Sequence, residues 1–258
     1  MSATAARALA ASLAFCIASA LQNQRLDGRT PLRSPKCDPL EHVLVINIAD
    51  KRGRQRRREI KKQFKAEGLK FTRWHATTIE SIRYPEVIQD GAAILKEDGG
   101  YSLNKKEAAL AITHKTIYQH MLSENIPCAL VFEDDIVLTK NFVARYKEAS
   151  ANLPDDFDLA KLDYCGFMGD ANGPGDQESV PRLLEGQGGA CTGAYLVSLK
   201  GAETFHMANT PLFMSSDGIL DPYHIKFTAA KDRLPLKNFH FAPQLAWQGN
   251  EQMHWWAR

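Results

Sequence analysis

Three consecutive carboxylates, Glu133, Asp134 and Asp135, follow the apolar run Ala129-Leu130-Val131-Phe132 and precede a second one, Ile136-Val137-Leu138. Two like charges about 4 Å apart repel by roughly 4 kcal/mol at an effective dielectric near 20. Removing each from water adds several kcal/mol unless a partner compensates. A divalent cation resolves both costs at once. Oxygen-only ligands suit Mg²⁺ or Mn²⁺, which usually keep waters and bind substrate phosphates. An acidic surface turn, or carboxyls held partly protonated, is the alternative. Acids at a strand end serve phosphohydrolases, nucleotidyl transferases and sugar transferases alike, so the triplet alone leaves the reaction open.

The elements that must position this triplet are legible around it. His42-Val43-Leu44-Val45-Ile46-Asn47-Ile48 and Ala129-Leu130-Val131-Phe132 are continuous apolar runs, the pattern of strands buried on both faces. Residues 159–162 and 194–198 read as further strands. Helices are expected over 50–68, 105–123, 141–151 and 200–207, with a loop at 172–176 and an aromatic-rich, irregular tail from Lys237. Strands alternating with helices imply an α/β sheet covered on both faces. In such sheets ligands sit beyond the carboxyl ends of the strands. The chemistry therefore belongs just after Val43–Ile48 and Ala129–Phe132.

Eight cations fall in the twelve positions from Lys51 to Lys62. They follow the first strand, where a phosphate would lie. A solvated helix face accounts for most of them, and a polybasic patch for nucleic acid or an anionic surface is the alternative. Glu107 and His114 lie seven apart and share a helix face. They either brace a ligand site or form a structural pair.

Four blocks, in order, resemble glycosyltransferase family 25, which holds lipooligosaccharide and procollagen galactosyltransferases. They are Val45-Ile46-Asn47-Ile48 with its arginine-rich sequel, Lys106–His114, Leu130–Ile136, and Thr192–Ala202; Asp158–Leu162 matches a family strand as well. The sequence departs from the family at Lys106 and Ala109, which replace glycines, and at Gly218, which replaces an acid.

The resemblance implies a Rossmann-like, GT-A-type fold with a mixed, mostly parallel central sheet flanked by helices. It implies an inverting transfer of a hexose, galactose or glucose, from a UDP-sugar to a hydroxyl of a glycan or glycoprotein, with Mn²⁺ (or Mg²⁺). Asp135, helped by Asp134, would ligate the metal. Asn47, Arg54, Glu107, His114, Glu133 and Asp134 would line the donor site, with Glu133 toward the ribose and Arg54 on a phosphate. Asp217 would be the base, with Asp221 as runner-up; Ser215-Ser216-Asp217-Gly218 is equally a good helix cap. Gln248 and Asn250 are weaker candidates for donor or metal contact. An inactive relative that binds glycan or protein, and a metal-dependent phosphoester hydrolase, are the competing readings.

Arg7 precedes the apolar run Ala8–Leu21, which ends in Ala18-Ser19-Ala20. This is the pattern of a signal peptide over residues 1–20, or of a short signal anchor. A polar linker with three prolines covers 21–40, and one transferase domain covers 41–258. The expected location is the secretory pathway, in the ER or Golgi lumen, or outside the cell. Four of the five cysteines, Cys37, Cys128, Cys165 and Cys191, lie beyond that leader and lack a CxxC pair. One or two disulfides are expected, with a buried free thiol equally open for Cys128. The 258 residues are 44% apolar and 24% charged with a net charge of +2, which excludes a disordered chain and removes a global electrostatic reason for nucleic-acid binding. There is no tandem repeat, phosphate loop, Gly-x-Ser-x-Gly or His-Glu-x-x-His motif.

Overall fold

The computed structural model describes residues 37–82, 103–165, 179–186, 189–212 and 214–249. The expected leader, most of the linker, the 172–176 loop, Asn250 and the last two tryptophans lie outside them. Strand β1 (Val43–Asn47) is followed by helix α1 (Lys51–Ala66), β2 (Thr72–His75), helix α2 (Lys105–Ser123), β3 (Cys128–Glu133), β4 (Ile136–Leu138) and helix α3 (Phe142–Ser150). Then come β5 (Leu159–Lys161), β6 (Arg182–Glu185), β7 (Ala194–Ser198), helix α4 (Leu199–Ala208), the short helix α5 (Pro222–Ile225), β8 (Asn238–Ala242) and β9 (Ala246–Gln248).

Seven strands form one sheet in the order β2-β1-β3-β7-β5-β8-β6. Pairing is parallel at β2–β1, β1–β3 and β5–β8, and antiparallel at β3–β7, β7–β5 and β8–β6. Only β7 and β6 therefore run against the rest, so the sheet is mixed but mostly parallel in direction. Strands β4 and β9 make a separate antiparallel pair. The tail is thus not irregular: β8 enters the main sheet and β9 backs the turn after β3. Nor is Cys128 a free thiol; it is bonded to Cys37, and Cys165 to Cys191.

The alternation of side chains along a strand fills two apolar layers. Val43, Val45, Leu130, Phe132 and Leu196 face Ile60, Phe64, Phe142 and Tyr146 of α1 and α3. Leu44, Ile46, Ala129, Val131, Tyr195 and Val197 face Ile117, Tyr118, Met121 and Phe205 of α2 and α4. Phe64 is fully buried, and truncating such a ring to Ala costs about 3–5 kcal/mol.

Local signals set the helix starts near the site. Asp50 caps α1 by accepting from the Gly53 N–H at 2.6 Å. A Cβ on Gly53 would lie 2.1 Å from the Ile48 carbonyl oxygen, so only glycine lets α1 sit this close to β1. Asn104 and Glu107 form a reciprocal capping box on α2. Among the described residues no helix is long and apolar enough to cross a membrane.

Candidate active site

The carboxyl end of β3 carries Glu133, and the turn to β4 carries Asp134 and Asp135. Because β7 runs opposite to β3, its leading end delivers Thr192 and Gly193 to the same rim. The Glu133 N–H donates to the Gly193 carbonyl at 2.8 Å. Strand β9 supports the turn from behind, with the Gly249 N–H donating to the Asp135 carbonyl at 2.7 Å.

Each acid of the triplet has a different environment. Asp134 is 8% exposed; its Oδ2 accepts from the Asn47 amide and its Oδ1 from Arg56 at 3.2 Å. Burial raises its pKa, and Asn47 and Arg56 oppose the shift. With both oxygens engaged, Asp134 anchors the turn, and the ion-ligand expectation narrows to Asp135. Asp135 meets the second nitrogen of the same guanidinium at 3.2 Å through Oδ2, while its Oδ1 is buried without a hydrogen-bond partner. Burial and then the Glu133 charge push its pKa up to about 6. Glu133 accepts from the Thr192 hydroxyl at 2.9 Å. With its one proton used there, Thr192 accepts from Ser216 at 3.2 Å. This bridge joins the triplet to the Asp217 segment.

A fourth carboxylate completes the rim, one that sequence reasoning missed. Asp163 stands two residues past β5, is 3% exposed and has no partner on Oδ2. Burial, then Glu133, raise its pKa to about 7. A Cβ at position 193 would lie 2.3 Å from that oxygen, so Gly193 makes the room Asp163 occupies. Lys161, also missed, is 1% exposed and donates to the Gly189 carbonyl at 2.6 Å and the Ala190 carbonyl at 3.2 Å. Burial lowers its pKa to about 8, against the attraction of Asp217, Asp163 and Asp221. The Cys165–Cys191 bond staples the segments bearing Asp163 and Thr192 to each other.

The remaining expected residues divide. Asn47 is 1% exposed and commits its amide to Gly53 and Asp134 while accepting from Arg73, so it positions the triplet. Arg54 is exposed on α1, and Arg56 instead reaches the acids. The helix phase explains the correction: Gly53, Ile60 and Phe64 mark the inward face, which passes through position 56 and not 54. Glu107 serves the α2 cap, accepting from the Asn104 N–H at 2.9 Å. His114 is buried, bonded through Nδ1 to the Tyr195 hydroxyl at 2.7 Å, with Nε2 at 3.6 Å from Glu133. That second distance is too long for a hydrogen bond. Asp217 caps a short 3₁₀ turn, Gly218–Leu220, accepting from the Gly218 N–H at 3.0 Å. Asp221 caps α5 through the Tyr223 N–H at 2.8 Å. Gln248 sits on β9 opposite Ile136.

Among the described residues no three His, Cys, Asp or Glu side chains are placed to surround an ion. Of the three unpartnered buried carboxylate oxygens among the described residues, those on Asp135 and Asp163 lie on this rim and fit a hard divalent cation whose other ligands come from substrate and water. A strand-end acid cluster on a mixed sheet, open to a substrate's own oxygens, fits cation-assisted group transfer or hydrolysis.

The profile of Glycosyltransferase family 25 (LPS biosynthesis protein) matches residues 40–165, which span α1, the triplet and Asp163. A solved structure described as a glycosyltransferase involved in the glycosylation of the major capsid of PBCV-1 is 9% identical, with a TM-score of 0.43 over 80% of this chain and 92% of its own. No curated protein matches the sequence. Residues 40–165 are thus similar to glycosyltransferase family 25, and the enzyme is a glycosyltransferase. The match favours sugar transfer over the phosphoester hydrolase reading.

Proposed function

We propose that this enzyme moves a hexose, galactose or glucose, from a UDP-sugar to a hydroxyl of a glycan or glycoprotein with inversion at the anomeric carbon. The observation that carries the reading is the pair of buried, unpartnered oxygens on Asp135 and Asp163. Mn²⁺ (or Mg²⁺) held by Asp135 and Asp163 would supply neutralisation of charge on the departing diphosphate. Arg56 bridges Asp134 and Asp135 with one guanidinium and offsets part of their charge before the cation binds. Asp217 takes the proton of the acceptor hydroxyl. The oxygen's electron pair forms the new bond to the anomeric carbon, and the pair of the broken sugar–phosphate bond leaves with UDP. Base catalysis of this kind is worth about 10²–10⁴-fold. Lys161 lies in the field of Asp217.

Two disulfides and the leader pattern support a secretory compartment for this work. The test is Mn²⁺-dependent release of UDP from UDP-galactose or UDP-glucose. Asp135→Asn should lower that release by about 10²-fold or more while the protein stays folded, because one member of a repelling cluster is removed. Near wild-type turnover in Asp135→Asn, or nucleotide binding with no release in the wild type, would overturn the reading.

A further inference from the structure

Among the described residues three large hydrophobic side chains are more than half exposed, and two of them, Tyr223 at 59% and Phe227 at 60%, stand one helical turn apart. Neither joins an apolar layer; the inward residue of α5 is Ile225. Their rings meet edge to face at 5.7 Å between centroids. Asp217 opens the 3₁₀ turn, and Asp221 both closes it and caps α5. His224 reaches back through Nδ1 to the Gly218 carbonyl at 2.9 Å and packs its ring against Tyr223 at 5.4 Å. The two rings are therefore fastened to the segment that carries Asp217.

The Lys226 ammonium lies 3.6 Å from the centre of the Tyr223 ring and 4.9 Å from that of Phe227. An aromatic face carries negative quadrupole charge and attracts positive groups. The C–H face of a pyranose, polarised the same way, is the neutral counterpart of that ammonium. Two side chains expose far less than the roughly 800 Å² per partner that a stable protein interface covers, so the platform suits a single sugar ring better than a protein.

We propose that Tyr223 and Phe227, on the segment that follows Asp217, form a stacking platform for the pyranose ring of the acceptor. This rests on the transfer reaction and the base assigned above. The experiment is saturation-transfer difference NMR with methyl β-D-galactopyranoside and methyl β-D-glucopyranoside, in the presence of UDP and Mn²⁺. Wild type should transfer saturation to ring C–H protons of at least one glycoside. Tyr223→Ala/Phe227→Ala should reduce the signal fivefold or more, and Tyr223→Trp should keep it within twofold. Unchanged melting temperature and UDP affinity in the double variant show that its fold is intact. No transfer in the wild type, or equal transfer in the double variant, overturns the platform. So does a wild-type dimer, seen by sedimentation, that becomes monomeric in the double variant. Failure of UDP and Mn²⁺ to bind the wild type counts against the transferase reading instead, and the glycoside signal without nucleotide then judges the platform on its own.

Discussion

Arg56 on α1 meets Asp135 at 3.2 Å, holding with its guanidinium the carboxylate that has a free oxygen to offer an ion. The same side chain holds Asp134, so one cation partly offsets two acids. Arg56→Ala leaves Asp134 buried with Asn47 alone. Stability should fall by about 1–2 kcal/mol, read as a lower urea midpoint. Mn²⁺ affinity should rise severalfold, because a competing positive charge is gone; electron paramagnetic resonance of free Mn²⁺ measures it. Weaker Mn²⁺ binding in this variant would mean that Arg56 organises the ion site more than it competes with it.

The raised pKa values of Asp163 and Asp135 fix the sign of a pH effect. In the unfolded chain an aspartate titrates near its ordinary value of about 3.9. In the folded protein Asp163 holds its proton to about 7 and Asp135 to about 6. Between those limits the folded state binds more protons, so stability falls as pH rises and levels off above the folded values. The urea midpoint of EDTA-treated protein should drop between about pH 4.5 and 7.5. The loss should reach a few kcal/mol, since each tenfold difference in proton affinity between the two states is worth about 1.4 kcal/mol. Asp163→Asn should flatten that slope, and Mn²⁺ should bind more tightly as pH climbs through the same window. Identical slopes in variant and wild type would remove Asp163 as the cause.

Lys161 and Asp163 sit two residues apart in a nearly dry environment and attract each other. Lys161→Met frees the Gly189 and Ala190 carbonyls and leaves Asp163 without its nearest compensation. A loss of about 3 kcal/mol is expected, the scale of breaking a buried pair from one side. Lys161→Met/Asp163→Asn should recover about 1 kcal/mol or more of it, a coupling that a double-mutant cycle in urea reads directly. Strict additivity would show that the two charges do not interact.

Asp217 invites a separation of cap from base. Asn caps helices about as well as Asp, so Asp217→Asn should melt within about 2 °C of wild type. Its turnover should fall by about 10²–10⁴-fold, and the acidic limb of the pH–rate profile should disappear. Retention of that limb would leave Asp217 a cap alone, and the same experiment on Asp221→Asn would follow.

The strands that were legible in the sequence are those buried on both faces, where a run such as Leu44–Ile46 has no other outlet. Strands β2 and β6 were not, because as edge strands they are half exposed and their side chains, Thr72-Arg73-Trp74-His75 among them, carry no clean alternation. Strands β8 and β9 hide in an aromatic tail whose partners, β5 and β4, are remote in sequence. The acid triplet announced itself because charges between apolar runs need an explanation. Asp163 did not, since a lone acid after a three-residue strand looks like any turn. Lys161 carried a usable signal: a lysine between Ala160 and Leu162 in a buried strand is rarely idle. Arg56 could have been chosen over Arg54 by phasing the basic run against Ile60 and Phe64.

Four carboxylates gathered on one rim, with Arg56 and Lys161 as nearby counter-charges, give the protein a reason to be longer-lived when loaded. Whatever settles that repulsion binds the native chain and not the denatured one, so saturation at about a hundred times the dissociation constant adds about 2.7 kcal/mol. Degradation samples the open chain in proportion to its population. Under the reaction proposed above, the steady-state abundance of this enzyme should accordingly track the supply of cation and sugar nucleotide, so that a cell short of donor also comes to hold less of the catalyst that consumes it.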